Sequence, residues 1–167
     1  MVTLNRLRIL FSKFSVPLIT ILSFATACNQ TTKTSSVLTE DDKVALRAFA
    51  EKDSAIVMSK KWDELTAEYS TDAVRMPPNT PAVEGRDAIR KFLDTYPPIK
   101  NFNFQLVDLQ GEGSLAYMRG AYNITFMISD SSSVTDTGKI LIVFKKQTNG
   151  SWMRVADSWN SDLPPAK

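Results

Sequence analysis

Apolar positions change their period partway along this chain. Between Thr39 and about Lys60, Leu46, Phe49, Ala50, Ile56 and Val57 fall on one face at helical spacing, and Thr39 with Asp42 three positions on reads as a capping box. A second short helix is predicted over 62–69, with Leu65 and Tyr69 four apart. A third is predicted over 86–96, where Ile89, Phe92, Leu93 and Tyr96 form the stripe and Pro97-Pro98 ends it. Ala73 to Met76 reads as a strand that Pro77-Pro78 stops, and Gly85 as a backbone requirement ahead of the third helix. After Pro98 the period drops to two. Phe102, Phe104 and Leu106 alternate with polar residues, residues 115–128 are rich in aromatic and branched side chains, and 139–146 and 151–159 are further strands. Gly111–Gly113 and Asn149-Gly150 are turn signals, and "SDSSSVTDTG" (129–138) reads as a polar loop. Helices first and a strand meander last predict an α+β domain with an antiparallel sheet rather than a doubly wound parallel one.

The N-terminal stretch belongs to a different class. Residues 1–27 carry Arg6, Arg8 and Lys13, no acid, and an apolar run from Phe14 to Ala27, the layout of an export signal. The run closes on "FATAC", which resembles the bacterial lipobox; that resemblance implies lipidation of Cys28, and the alternative is ordinary secretory cleavage nearby. Cys28 is the only cysteine, so no intrachain disulfide can form, and acylation would account for a lone thiol in an exported chain. With Asn29 next, resemblance to enterobacterial sorting rules implies the periplasmic face of the outer membrane. Residues 28–38 read as the lipidated cysteine and a polar tether, 39–163 as the domain, and 164–167 as a tail. The whole chain has 20 Lys and Arg against 18 Asp and Glu; without the three bases of the signal, 17 bases face 18 acids. No electrostatic footprint for nucleic acid remains.

The absence of histidine removes serine–histidine and cysteine–histidine nucleophilic schemes and histidine metal sites. No acidic cluster has useful ligand spacing, no glycine-rich phosphate loop is present, and neither a metal nor a cofactor is expected.

Taken in order, "YSTDAVRMPPN", "EGRDAIRKF", "LAYMRGAY", "GKILIVFKK" and "GSWMRVADSWNSD" resemble the SnoaL-like, ketosteroid-isomerase-like branch of the nuclear transport factor 2-like superfamily. The resemblance covers roughly Leu38 to Leu163. It implies a curved antiparallel sheet wrapped around three N-terminal helices, forming a cone with a pocket at its wide end. In the isomerases a catalytic aspartate occupies the position aligned with Pro77, and two oxyanion donors occupy those aligned with Asp53 and Ile140. None of the three is kept as such, so the resemblance does not imply steroid-type isomerisation.

Several residues are candidates for the pocket. Asp53 lies among Leu46, Phe49, Ile56 and Val57 on the helical wheel, which points its carboxylate inward. It reads either as a pocket acid or as a structural anchor held by an arginine or by amides. On the strand over "AYMRGAY", Tyr117, Arg119, Ala121 and Asn123 share one face and Met118, Gly120, Tyr122 and Ile124 the other. The resemblance turns the first set toward the pocket. Arg119 would then pair with Asp53 or bind an anionic ligand; on the other face it would be solvated. Asp157 alternates with Val155 and Trp159, and the resemblance puts that face inward; it is the second acid–base candidate, or an ordinary acid at a frayed strand end. Trp62, Tyr69, Tyr117, Trp152 and Trp159 would line the pocket or pack the core.

Three functions follow from this reading. The first is an exported, lipid-anchored domain that binds a small, partly apolar molecule. The second is an enzyme of proton-transfer or hydrolytic type using Asp53 or Asp157 and Arg119. The third is an assembly module, a homodimer through the sheet face carrying Met118, Tyr122, Ile124 and Phe126.

Overall fold

The structure is a computed structural model, and it describes residues 37–164. The export segment, Cys28 and most of the tether lie outside the described residues. Helix α1 spans Glu40–Met58. Its capping box is complete: the Asp42 amide donates to the Thr39 hydroxyl at 3.1 Å, and the Thr39 amide donates to the Asp42 carboxylate at 3.3 Å. Glu40, Asp41 and Asp42 put three acids in the first turn, where the helix dipole favours negative charge. Helix α2 covers Trp62–Thr66 and α3 covers Arg86–Asp94, close to the positions that periodicity predicts. Gly85 immediately precedes α3 with φ +87°, a region that L side chains rarely adopt, and this is the backbone requirement expected of it.

Six strands follow this frame: β1 Tyr69–Met76, β2 Val83–Glu84, β3 Ile99–Glu112, β4 Leu115–Ser129, β5 Ser132–Lys146 and β6 Trp152–Ser161. They form one sheet in the order β2-β1-β6-β5-β4-β3. This corrects the expected fold in two respects. The sheet is mixed, because β1 runs parallel to β6, and it is open, because β2 and β3 are edge strands that do not pair with each other. An antiparallel sheet curved into a cone is therefore not what the chain builds. Strand β1 lies ahead of α3, far in sequence from the C-terminal meander, and no local pattern specifies the direction in which it pairs. A second correction concerns 129–138. Instead of a loop, this segment continues the β4–β5 hairpin, with Asn123 opposite Thr137 and Thr125 opposite Thr135. A polar segment can pair as a strand where cross-strand hydroxyls meet, as the Thr125 and Thr135 hydroxyls do at 2.9 Å.

The core has two halves. One gathers Leu46, Phe104, Met118, Ile142, Phe144 and Trp152 beneath α1. The other gathers Ile56, Trp62, Leu65, Tyr69, Ile89 and Leu93 among α2, α3 and β1. Phe102 packs against both. At the start of α1, Asp42 ties helix to sheet: Lys146 Nζ donates to it at 2.6 Å and Trp152 Nε1 at 2.9 Å. Hydrogen bonds from Lys146, Trp152 and Thr39, in that order, hold its carboxyl well below the usual carboxylate range. The folded-state pKa lies below the unfolded one, so this contribution to stability is present above the unfolded pKa of about 4 and is lost as pH falls below it. Asp42→Asn is expected to lower stability at pH 7 and to flatten the acid limb of stability against pH. Urea unfolding between pH 2.5 and 7 checks this, and parallel profiles for the two proteins would refute it.

Candidate functional site

Strands β1 and β6 supply the buried charge. On β1, Tyr69, Ala73 and Arg75 point inward. On β6 the register shifts against β5 between Arg154 and Ala156, which leaves Val155 as an extra residue. The irregularity lets Arg154 and Asp157, three apart, both face the interior, at 3 % and 1 % exposure. In the parallel pair Arg75 lies opposite Asp157.

Asp53 belongs to the half of the core beneath α1. Arg154 Nη2 donates to its Oδ1 at 2.6 Å and lies 2.8 Å from Glu68 Oε2, while Lys52 Nζ reaches Glu68 Oε1 at 2.7 Å. The arginine that meets Asp53 is thus Arg154, whereas Arg119 is exposed on the other face of the sheet. The face assignment of β4 is corrected as a whole. Met118, Tyr122 and Ile124 are buried against the helices, while Tyr117, Arg119 and Asn123 face away from the core. Tyr117, Arg119 and Asn123 therefore do not line the interior, and the stripe containing Met118, Tyr122 and Ile124 is core rather than a dimer surface. A strand has only two faces, so one wrong choice of parity moves every side chain at once.

The second charge cluster joins β1 to β6. Tyr69 Oη donates to Asp157 Oδ2 at 2.6 Å and accepts from Arg75 Nη1 at 2.8 Å; Arg75 Nη1 lies 3.5 Å from the same carboxylate oxygen. Arg75 Nη2 donates to Tyr96 Oη at 3.4 Å, and the guanidinium stacks 4.7 Å from the Trp159 ring. Burial is the largest single influence and lowers the Arg75 pKa, but Asp157, Tyr69 and Tyr96 together outweigh it and the pKa is raised. Burial pushes the Tyr69 phenol up, so it stays protonated and remains a donor to Asp157. Arg75 Nε and Asp157 Oδ1 are buried without a protein partner.

Arg75 forms one wall of a cavity of roughly 100 Å³ between helices and sheet. Six aromatic rings line it: Trp62, Tyr96, Phe102, Tyr122, Phe126 and Trp159. Val57, Leu65, Leu93, Ile124 and Ile140 supply aliphatic surface. Tyr96 stands edge-on to Trp62 and to Phe126, with ring centroids 6.1 Å and 5.8 Å away. The other polar wall is Asp136, whose carboxylate accepts from Tyr122 Oη at 2.7 Å and from the Ser161 hydroxyl. Burial first, and then the bond to Asp136, raise the Tyr122 pKa, so Tyr122 remains a donor. Gly138 makes this geometry possible: a Cβ there would collide with the Asn160 carbonyl and come within 2.7 Å of the Tyr122 ring. A larger, more open depression of about 440 Å³ at the start of α3 is lined by Thr71, Glu84, Arg86, Asp87 and Lys91, with no aromatic ring among its lining residues. Among the described residues no group of three or more acids or cysteines is arranged to hold a metal, and no helix is long and apolar enough to cross a membrane.

Of the residues singled out from sequence, Trp62 and Trp159 line the cavity, and Tyr69 and Asp157 support it from behind through Arg75. Asp53 lies in the other cluster. Arg75, Tyr96, Tyr122 and Asp136 escaped the sequence reading as site residues. Arg75 left a signal, a cation between Val74 and Met76 on a strand with Ala73 two positions away. Asp136 left none, because its segment read as a loop.

The architecture is thus an α+β domain holding an aromatic cavity between three helices and an open sheet. The chain belongs to the SnoaL-like domain family, which matches residues 47–159. Several solved structures share the fold. A ketosteroid isomerase-like protein from Erwinia carotovora atroseptica is 18 % identical, with a TM-score of 0.62 over 73 % of this chain and 94 % of that one. An NTF2-like protein with a cystatin-like fold from Novosphingobium aromaticivorans is 15 % identical, with a TM-score of 0.62 over 75 % of this chain and 85 % of that one. A protein from Catenulispora acidiphila, in complex with S-DNPA, is 14 % identical, with a TM-score of 0.59 over 74 % of this chain and 96 % of that one. The chain matches no curated protein.

The Asp53–Arg154–Glu68 cluster makes a stability prediction. Removing one partner of a buried pair costs about 3–5 kcal/mol, because the other charge is left uncompensated. Asp53→Asn is expected to lose an amount of that order. Burial, with the neighbouring Asp53 carboxylate, raises the Glu68 pKa more than Arg154 and Lys52 lower it, so Glu68→Gln is expected to cost clearly less. Equilibrium urea unfolding of both variants at pH 7 checks the order, and equal losses would contradict it.

Proposed function

We propose that this chain is an exported SnoaL-like domain that binds a small, partly apolar molecule in the cavity bounded by Trp62, Tyr96, Tyr122 and Trp159. The observation that carries the reading is the unfilled aromatic space with a guanidinium at one wall and a carboxylate at another. Binding sites are typically apolar hollows with a few placed polar groups, and this one has that composition. The complex with S-DNPA formed by the Catenulispora protein supports ligand binding on this fold, although the two chains are only 14 % identical. The enzymatic arrangement of Asp53, Asp157 and Arg119 has no such support, because these three side chains do not surround one space.

Ile140 lies in the cavity wall, and Ile140→Phe would fill the space with a ring. Native mass spectrometry of gently purified protein is expected to show a carried small molecule that the Ile140→Phe variant lacks. A fragment screen read by the fluorescence of Trp62 and Trp159 is expected to give saturable hits weakened at least tenfold by the same change. Ligand-free protein without a single saturable hit would retire the reading.

The charged start, apolar run and "FATAC" sequence support export and acylation at Cys28, with the domain held at a membrane surface by a tether. Cys28→Ser is expected to move the protein from the membrane fraction to the released fraction. Unchanged fractionation would count against the anchor.

A further inference from the structure

The cavity also restricts the charge and size of its occupant, an inference that rests on the binding reading above. A cavity of roughly 150 Å³ is known to hold benzene, so one of roughly 100 Å³ takes a molecule of only a few non-hydrogen atoms in this conformation. Its polar groups lie at two separate places. At one, Arg75 lines the cavity with its Nη2 held by only a long 3.4 Å bond to Tyr96 Oη, and among the described residues Tyr96 Oη donates to no protein group. Both groups can give a hydrogen bond to an oxygen acceptor, and a buried donor left unpaired destabilises the site until it finds one. At the other, Asp136 accepts from Tyr122 and Ser161 and keeps lone pairs for a further donor.

Neither a net anion nor a net cation suits both ends. The Arg75 charge is already opposed by Asp157, 3.5 Å away, so a ligand carboxylate would meet Asp136 as an unbalanced like charge. A ligand ammonium would be drawn to Asp136 but, having donors only, would leave the Arg75 and Tyr96 donors without an acceptor. A zwitterion could match both ends, but it would lose the hydration of two charges among six aromatic rings.

We propose that the cavity selects a small uncharged molecule with an acceptor oxygen at one end and an N–H or O–H donor at the other, primary amides being the simplest such class. The carbonyl oxygen takes hydrogen bonds from Arg75 and Tyr96, the amide N–H donates to Asp136, and the short alkyl group lies against Trp62, Leu65 and Phe126.

Four probes of matched size test this on the full chain: propionamide, propionate, propylammonium and alanine. Binding is followed by saturation-transfer NMR and by tryptophan fluorescence at pH 7. Propionamide is expected to bind at least fivefold more tightly than the other three. Tyr96→Phe keeps the ring and its edge-on contacts, and is expected to weaken propionamide at least threefold without loss of cooperative unfolding. Asp136→Asn is expected to narrow the gap between propionate and propionamide. If propionate, propylammonium or alanine binds as well as propionamide, or if Tyr96→Phe has no effect, the charge selection proposed here is wrong while the pocket stands. If none of the four binds, both this proposal and the pocket reading fall for ligands of this size.

Discussion

Two guanidinium groups lie inside this domain, and the structure depends on how each is neutralised. Arg154 is 3 % exposed and Arg75 is 8 % exposed. An unpaired buried cation costs several kcal/mol, so each must bring acids with it. Arg154 takes Asp53 from α1 and Glu68 from the segment entering β1; Arg75 takes Asp157 from β6. Tyr69 stands between the two systems. Its ring lies 5.7 Å from the Arg154 guanidinium, and its hydroxyl bonds both Arg75 and Asp157. These pairings join helix to sheet and β1 to β6 across more than eighty residues of sequence. Apolar packing is nondirectional, whereas the charge pairs accept only one arrangement of these strands.

The same arrangement leaves the cavity partly polar. Arg75 spends Nη1 on Tyr69 and Nη2 on a long bond to Tyr96, while its Nε stays free. Across the sheet, Gly138 allows the Tyr122 ring to lie close to the β5 backbone, from where its hydroxyl reaches Asp136. A side chain at Gly138 would push that ring into the hollow. The space is therefore held open by rings fixed in position, with their polar ends already oriented. Such orientation favours binding, since less rotamer freedom is lost when a ligand arrives.

Much of the helical frame was legible in the sequence because its signals are local. The Thr39–Asp42 cap, the α3 stripe and the stop at Pro97-Pro98 each lie within a few residues of the structure they specify. The inward turn of Asp157 and Trp159 could also be read, since both lie beyond the register shift at Val155. What stayed hidden is set by long-range pairing. The period of β4 is plain, but period two does not say which face is buried, and the resemblance supplied the wrong one. Arg154 was missed because the extra residue at Val155 breaks the alternation that would have grouped it with Asp157. The parallel pairing of β1 with β6 brings together segments that no local rule connects. The polar composition of 129–138 concealed a strand, and with it Asp136.

Reversing β4 changes where the chemistry of the domain can reside. With Arg119 outside, the only arginine among the described residues that lines the cavity is Arg75, two residues before Pro77 at the end of β1. Proline at 77 offers neither a carboxylate nor an N–H, and Ile140, another of the three departures from the isomerase pattern, adds only apolar surface to the cavity wall. Neither position thus supplies polarity. Polarity comes instead from Arg75, Tyr96 and Asp136, on β1, at the end of α3 and on β5, each held by a tyrosine or by another polar partner in the protein. A site built this way would distinguish ligands by where they place an acceptor and a donor. That depends on hydrogen-bond geometry across the hollow, and it operates whether or not any bond in the ligand is ever broken.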